Sequence, residues 1–423
     1  METHAHGFGL RFKTARSLRL ICVCAFLLLS LIPPGCGQNQ NRATLPAGAP
    51  IVRVLILENR PRIDLAASTS PTIRVGNGPE QRLDLPHNAP VGVFYTPGGW
   101  KIGESVLGTG ELTLQPASDG SVSVNNRAFR GRYRFVPRPG GKFDVVNDLD
   151  VDSYLKSVVS KELLWNWHDE AYRAQAIVAR TYALYVSRTA SESASYDLFA
   201  DVRSQVYGGI AGETAKSRNA VEATRGMVVA FGPLGQEKIF KAYFSSCCGG
   251  VTQSAAAAFG DPPSEPLSEQ NIGPRCSEST KFNWPAVVMT KREITRRLRL
   301  WGASNNQPAK SIGDVARIEV RSTNRFGRPA SFLVTDARGY RYTLECEDFR
   351  HALNTDAADG VTLPSSFFHP VTEPTSIRFA NGHGYGHGVG LCQWCAQHQA
   401  TAGVSHEQIV LGAFPHSTLV RVY

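Results

Sequence analysis

The sequence predicts an α+β fold: a β-rich amino-terminal part, a helical middle part and a small carboxy-terminal sheet. Three observations predict it. From Ile51 to about Val146, short β-branched and aromatic runs alternate with Gly, Pro, Asn and Asp. From Asp150 the apolar spacing changes to the helical period. Between residues 316 and 344 short β-runs return. The 423 residues suffice for one large domain or two modest ones, and 42% hydrophobic residues suffice for a core. Only one apolar run is long enough to matter to a bilayer, which excludes a polytopic membrane protein. No repeat of about 20–50 residues is visible, which argues against a solenoid or propeller.

Residues 1–36 read as an export signal. Arg11, Lys13, Arg16 and Arg19 precede an apolar run at 20–32, and Cys36 follows Pro33, Pro34 and Gly35. A small residue before Cys resembles a bacterial lipoprotein cleavage site, with Cys36 as lipid acceptor. An ordinary cleaved signal and an uncleaved anchor are the alternatives. Residues 37–50 read as a tether, 51–146 as the β-rich region and 147–423 as the region carrying the chemistry. Strands are expected at 51–57, 72–75, 91–95, 121–124, 132–136 and 143–146. Helices are expected at 152–165, with Asp152 as N-cap, at 169–188 and at 214–224. Strands at 227–231 and 238–244, a polar loop at 259–280 and a helix at 291–300 follow. Strands at 316–322, 331–335 and 341–344 form the small sheet. A Gly-rich segment spans 381–390, and Ser405 with Gln408 has capping-box spacing for the last helix.

The net charge of +9 falls to about +6 once the signal is removed. On so long a chain this reads mainly as solubility. No basic run interleaved with aromatics points to nucleic acid.

Leu155, Val158, Val159 and Glu162 share one helical face, so the Glu162 carboxyl lies in an apolar stripe. Desolvation should raise its pKa, which suits a general acid at neutral pH. The alternative is a structural salt bridge to Arg173 or Arg180. Trp165 and Trp167 lie nearby, and aromatic faces commonly pack against sugar rings. In the Gly-rich segment, His383, Tyr385 and His387 offer donors, acceptors or metal ligands on a backbone free to approach a ligand closely. A buried loop with hydrogen-bonded histidines is the plainer reading. Of the nine cysteines, Cys22 and Cys24 fall in the signal. Apart from Cys36, six remain: Cys247, Cys248, Cys276, Cys346, Cys392 and Cys395. In an exported chain these first imply disulfides. However, Cys392 and Cys395 are spaced to chelate from one helical face, and the neighbours Cys247 and Cys248 rarely bridge each other. Cys346 reads as a core residue.

Four blocks together resemble the SpoIID/LytB family of bacterial cell-wall proteins. They are 145–162, ending Val158-Val-Ser-Lys-Glu162; 170–184; segments within 196–250 that include Tyr243 and Cys247-Cys248-Gly-Gly250; and 386–394, Gly386-His-Gly-Val-Gly-Leu-Cys-Gln-Trp394. Their order and spacing match over about 51–423. The resemblance implies a lytic transglycosylase acting on peptidoglycan glycan strands, with Glu162 as the single catalytic acid and base. It also implies that His387 and Gln393 line the glycan groove, with Tyr385, Trp165 and Trp167 as further binding candidates. The alternative role within the family is a non-catalytic wall-binding factor that stimulates a cell-wall amidase. The family brings Cys247, Cys248, Cys276, Cys392 and Cys395 round one site, and some members carry a Cys/His zinc site there. Structural zinc is therefore expected beside the disulfide and free-thiol alternatives. The implied location is the cell envelope. The chain departs from the family pattern at Leu163-Leu164, where Met-Pro often follows the acid, and at Cys247, Cys248 and Cys395.

Overall fold

The computed structural model describes residues 48–423 apart from 119 and 359, and these belong to one compact unit. The export signal and Cys36 lie outside the described residues. No described helix is long and apolar enough to cross a membrane.

The amino-terminal part is built from two antiparallel-rich sheets of seven and six strands. The long strands Ile51–Arg60, Lys142–Asp150 and Arg132–Arg138 lie side by side in the larger sheet. Alternation along them sends Val52, Val54, Tyr133, Phe135, Phe143 and Val145 into one core with Leu65 and Trp100 of the smaller sheet. The expected strands are present, most of them longer by a few residues.

Strand Lys142–Asp150 runs directly into helix α1, Val151–Glu162. Its N-cap is Asp150, whose side chain accepts from the Ser153 N–H at 2.9 Å. This corrects the expected cap. Asp152 lies one step inside the helix and is buried in an ion pair with Arg180, 2.9 Å away. The helix also ends earlier than expected. Leu163 is extended and buried in the amino-terminal core, so the chain leaves the helix right after Glu162.

Helix α2, Asp169–Thr189, joins two cores. Tyr172, Ala176, Ala179 and Ala183 face the first, while Ala171, Ala174, Ile177 and Val178 face the second. Its alanines let both cores close on the helix, the packing role their small size implies. Helix α3, Ala215–Ala223, carries a full capping box from Thr214 and Ser217.

The carboxy-terminal half holds small sheets, as expected. Val315–Thr323, Pro329–Asp336 and Arg341–Glu345 form an antiparallel three-stranded sheet. Strand Met227–Phe231 pairs with the last strand, Thr418–Arg421. The expected strand at 238–244 divides. Lys238–Ile239 continues that sheet, while Phe244–Ser245 pairs in parallel with Leu391–Cys392. This second pairing places the Cys247–Cys248 segment beside the Cys392–Cys395 segment. The sequence reading missed helix Cys346–Asn354 and the hairpin of Phe367–Thr372 with Ser376–His383.

Candidate active site

Glu162 is the last residue of α1, on the face that buries Leu155, Val158 and Val159. A carboxylate at a helix C-terminus faces the negative end of the dipole. Burial pushes the Glu162 carboxyl above the ordinary carboxylate range, opposed by bonds from the Val206 N–H and the Gln393 side chain. The Val206 N–H lies 3.2 Å from Oε1. Among the described residues no cation pairs with Glu162. The arginines of the salt-bridge alternative are engaged elsewhere: Arg173 pairs with Glu170, and Arg180 with Asp152. The carboxyl is thus held by neutral donors in a setting that favours its acid form.

Glu162 lines a cavity of about 680 Å³ together with Tyr243, Phe259, Glu347, His387 and Gln393. Tyr243 and Phe259 stack at 4.6 Å, and the His387 ring meets Phe259 edge-on at 5.2 Å. The Val389 N–H donates to His387 Nδ1 at 3.0 Å, which leaves Nε2 as the donor of a neutral ring. Burial pushes the His387 pKa down to about 4, so the imidazole is uncharged at neutral pH. Glu347 differs from Glu162. Burial opposes its charge, but Arg350 at 2.7 Å and the Ser366 hydroxyl hold it below the ordinary range. It is an ionised partner of Arg350 rather than a second acid. Asp261 accepts the Tyr243 hydroxyl at 2.7 Å.

The expected binding residues separate. His387, Tyr385 and Gln393 line the cavity with Glu162. Trp167 is buried and meets Trp394 at 4.9 Å, walling a second cavity that also reaches Glu162. Trp165 is 83% exposed and lines neither cavity, because the turn after Leu164 points it away from its neighbour. The sequence reading missed Lys241, Phe259, Asp261, Glu347 and Arg350. Only the matched block around Tyr243 pointed near them.

Beside the cleft, the Sγ atoms of Cys248, Cys276, Cys392 and Cys395 all lie within 4.8 Å of one another, and all four residues are buried. Cys248 Sγ is 3.6 Å from Cys276 Sγ and 3.8 Å from Cys395 Sγ. Hydrogen bonds from Cys247, Cys248, Cys392 and Cys395 draw the Cys276 pKa down. Cys392, chiefly through burial, and Cys395, chiefly through its bond to Cys248, are pushed up. Cys247 is the one of the expected five that is not among the four mutually close sulfurs. Its backbone pairs with Tyr385, and its thiol bonds the Cys276 carbonyl, at 3.9 Å, and the Cys276 thiol, at the edge of the four mutually close sulfurs. Cys346 is a core residue, as expected, with burial pushing its thiol up to about 12.

Residues 139–231, which contain α1, α2 and Glu162, match the family model SpoIID, Stage II sporulation protein. Over this segment the chain is similar to the SpoIID/LytB family. Proteins similar to this chain include an uncharacterised protein of Brachyspira hyodysenteriae, 27% identical over 68% of this chain and 71% of that protein. The amidase enhancer of Bacillus subtilis is 25% identical over 63% of this chain and 40% of its own length. Stage II sporulation protein D of Bacillus subtilis is 25% identical over 63% of this chain and 73% of its own length. The family is cell-wall related, which goes with an envelope or extracellular location.

Proposed function

We propose that this protein is a lytic transglycosylase of peptidoglycan glycan strands, with Glu162 acting twice. As acid, Glu162 protonates the glycosidic oxygen after an N-acetylmuramic acid unit, and an oxocarbenium-like state develops. As base, it then takes the proton of that sugar's C6 hydroxyl, whose oxygen closes on the anomeric carbon. The product is a 1,6-anhydro end, and no water is consumed. This departs from glycosidases that divide the work between two carboxyl groups. The observation that carries this reading is a cleft-lining carboxyl raised by burial and held by uncharged donors. Such a group can give and retake a proton, whereas one pinned by arginine, like Glu347, stays ionised.

The test is product analysis by mass spectrometry of glycan strands incubated with the protein and with Glu162→Gln. Anhydro ends from wild type and none from the variant are expected. Equal product from both would remove Glu162 from the chemistry. The similarity to an amidase enhancer favours a second reading, a non-catalytic wall-binding protein that stimulates an amidase. Its signature is no anhydro product, together with faster cleavage by an added cell-wall amidase.

The four-cysteine group suits structural zinc. Zn–S bonds of about 2.3 Å set tetrahedral sulfurs about 3.8 Å apart, close to the 3.6 and 3.8 Å separations here. A disulfide needs about 2.05 Å. Cys248, Cys276, Cys392 and Cys395 would hold the metal. Four thiolates leave no open position, so its role would be to fix the segment that carries Gln393 beside Glu162. Attachment to a membrane through Cys36 and delivery to the envelope complete this reading.

A further inference from the structure

Glu162 does not lie at the closed end of a pocket. Two cavities meet at it, one of about 680 Å³ and one of about 330 Å³. Both are lined by Glu162, Ser246, Tyr385 and Gln393, so they form two lobes of one cleft with the carboxyl at the junction. Each lobe has an aromatic wall. In the larger it is the stacked pair Tyr243 and Phe259; in the smaller it is Trp394, edge-on to Trp167. Each lobe also reaches solvent. Val202, 88% exposed, stands on the margin of the larger lobe, and Leu164, 52% exposed, on that of the smaller, beside exposed Thr280 and Lys281.

A reagent that trims single units from a strand end needs a wall beyond the reacting bond to stop the chain. Here the carboxyl borders both cavities, and each cavity has aromatic side chains in its lining. Aromatic side chains carry much of the binding area in such clefts. We propose that the glycan strand passes through the cleft with sugar units in both lobes, and that cleavage falls inside the strand rather than at its end. This rests on the transglycosylase reading of Glu162. The larger lobe, about twice the volume of the smaller, takes the longer stretch of the strand.

The test follows product length during the first few per cent of reaction on long glycan strands labelled at one end. Internal cleavage yields intermediate lengths from the outset. Two variants probe the lobes separately, Val202→Trp on the larger margin and Thr280→Trp on the smaller. Both positions are exposed, so the added ring blocks a lobe without entering the core. Each is expected to lower kcat/KM on long strands by about tenfold. Anhydro disaccharides released from one end only, or one of the two blocks leaving kcat/KM unchanged, would overturn the two-lobed cleft while leaving the chemistry of Glu162 standing. Absence of any anhydro product from wild type would instead overturn the reading on which it rests.

Discussion

Substituting Gly388 by alanine adds one methyl group, and the structure says where it goes. Gly388 has φ +71°, and a Cβ there would lie 2.2 Å from Arg328 Nη1 and 2.6 Å from Cζ. A flexible side chain usually yields to such a contact, but Arg328 is fully buried. Its Nη1 donates to the Cys248 and Val251 carbonyls at 3.0 and 2.8 Å, and its Nη2 to the His387 carbonyl at 3.0 Å. The guanidinium therefore ties together the loop carrying His387 and the loop carrying Cys248. The left-handed conformation costs alanine about 1–2 kcal/mol. Displacing the guanidinium from one of these charge-assisted bonds costs about 1.5–3 kcal/mol more. Gly388→Ala should thus destabilise by about 2.5–5 kcal/mol in urea unfolding. Gly403→Ala is the control: its φ is +83°, and nothing lies within 4 Å of the added Cβ. It should show the conformational cost alone, about 1–2 kcal/mol. Equal losses in the two variants would refute the bracing role of Arg328.

Arg180→Met should cost about 3–5 kcal/mol, because Asp152 is left buried without the guanidinium that donates to it at 3.0 and 2.9 Å. Urea midpoints measure this, and a change within about 0.5 kcal/mol would show a pair of no consequence. Glu162→Gln should stabilise the protein at neutral pH. The folded carboxyl has a raised pKa, so its burden is absent below about pH 4, where both states are protonated, and grows as pH rises through the folded value. A stabilisation equal at pH 3 and pH 7 would contradict this. Purified protein should carry one zinc per chain, and a strong chelator or Cys276→Ser should remove it and lower Tm. A metal-free preparation without reactive thiols would mean disulfides instead.

Much of the fold was legible because local patterns and tertiary packing agree. Alternation along Ile51–Arg60 and Lys142–Asp150 matches the buried face of the sheet. The alanines of α2 mark a helix pressed between two cores. Ser405 and Gln408 form the capping box their spacing implies. Glu162 was legible because its position in an apolar stripe is a local property. The cap of α1 was not, since Asp150 and Asp152 both fit the helix start, and only the distant Arg180 decides between them. Nor was the membership of the sulfur group. It depends on a two-residue parallel pairing, Phe244–Ser245 with Leu391–Cys392, too short to leave a sequence pattern. The same pairing leaves Cys247 at the edge of the group, bonded to Cys276, and Cys248 within it. Trp165 and Trp167 illustrate the opposite failure. They are near neighbours in sequence, yet one turn sends the first to solvent and the second against Trp394. Glu347 and Arg350 lie on a helix whose short apolar pattern did not stand out, so this ion pair of the larger lobe went unseen.

The most direct measurement of the central claim is to run the reaction in water enriched in oxygen-18 and weigh the new ends. Glu162 acting first as acid and then as base on the sugar's own hydroxyl gives anhydro ends that carry no label. Hydrolysed ends that carry one labelled oxygen would contradict it, because water and not the C6 hydroxyl would then be the nucleophile.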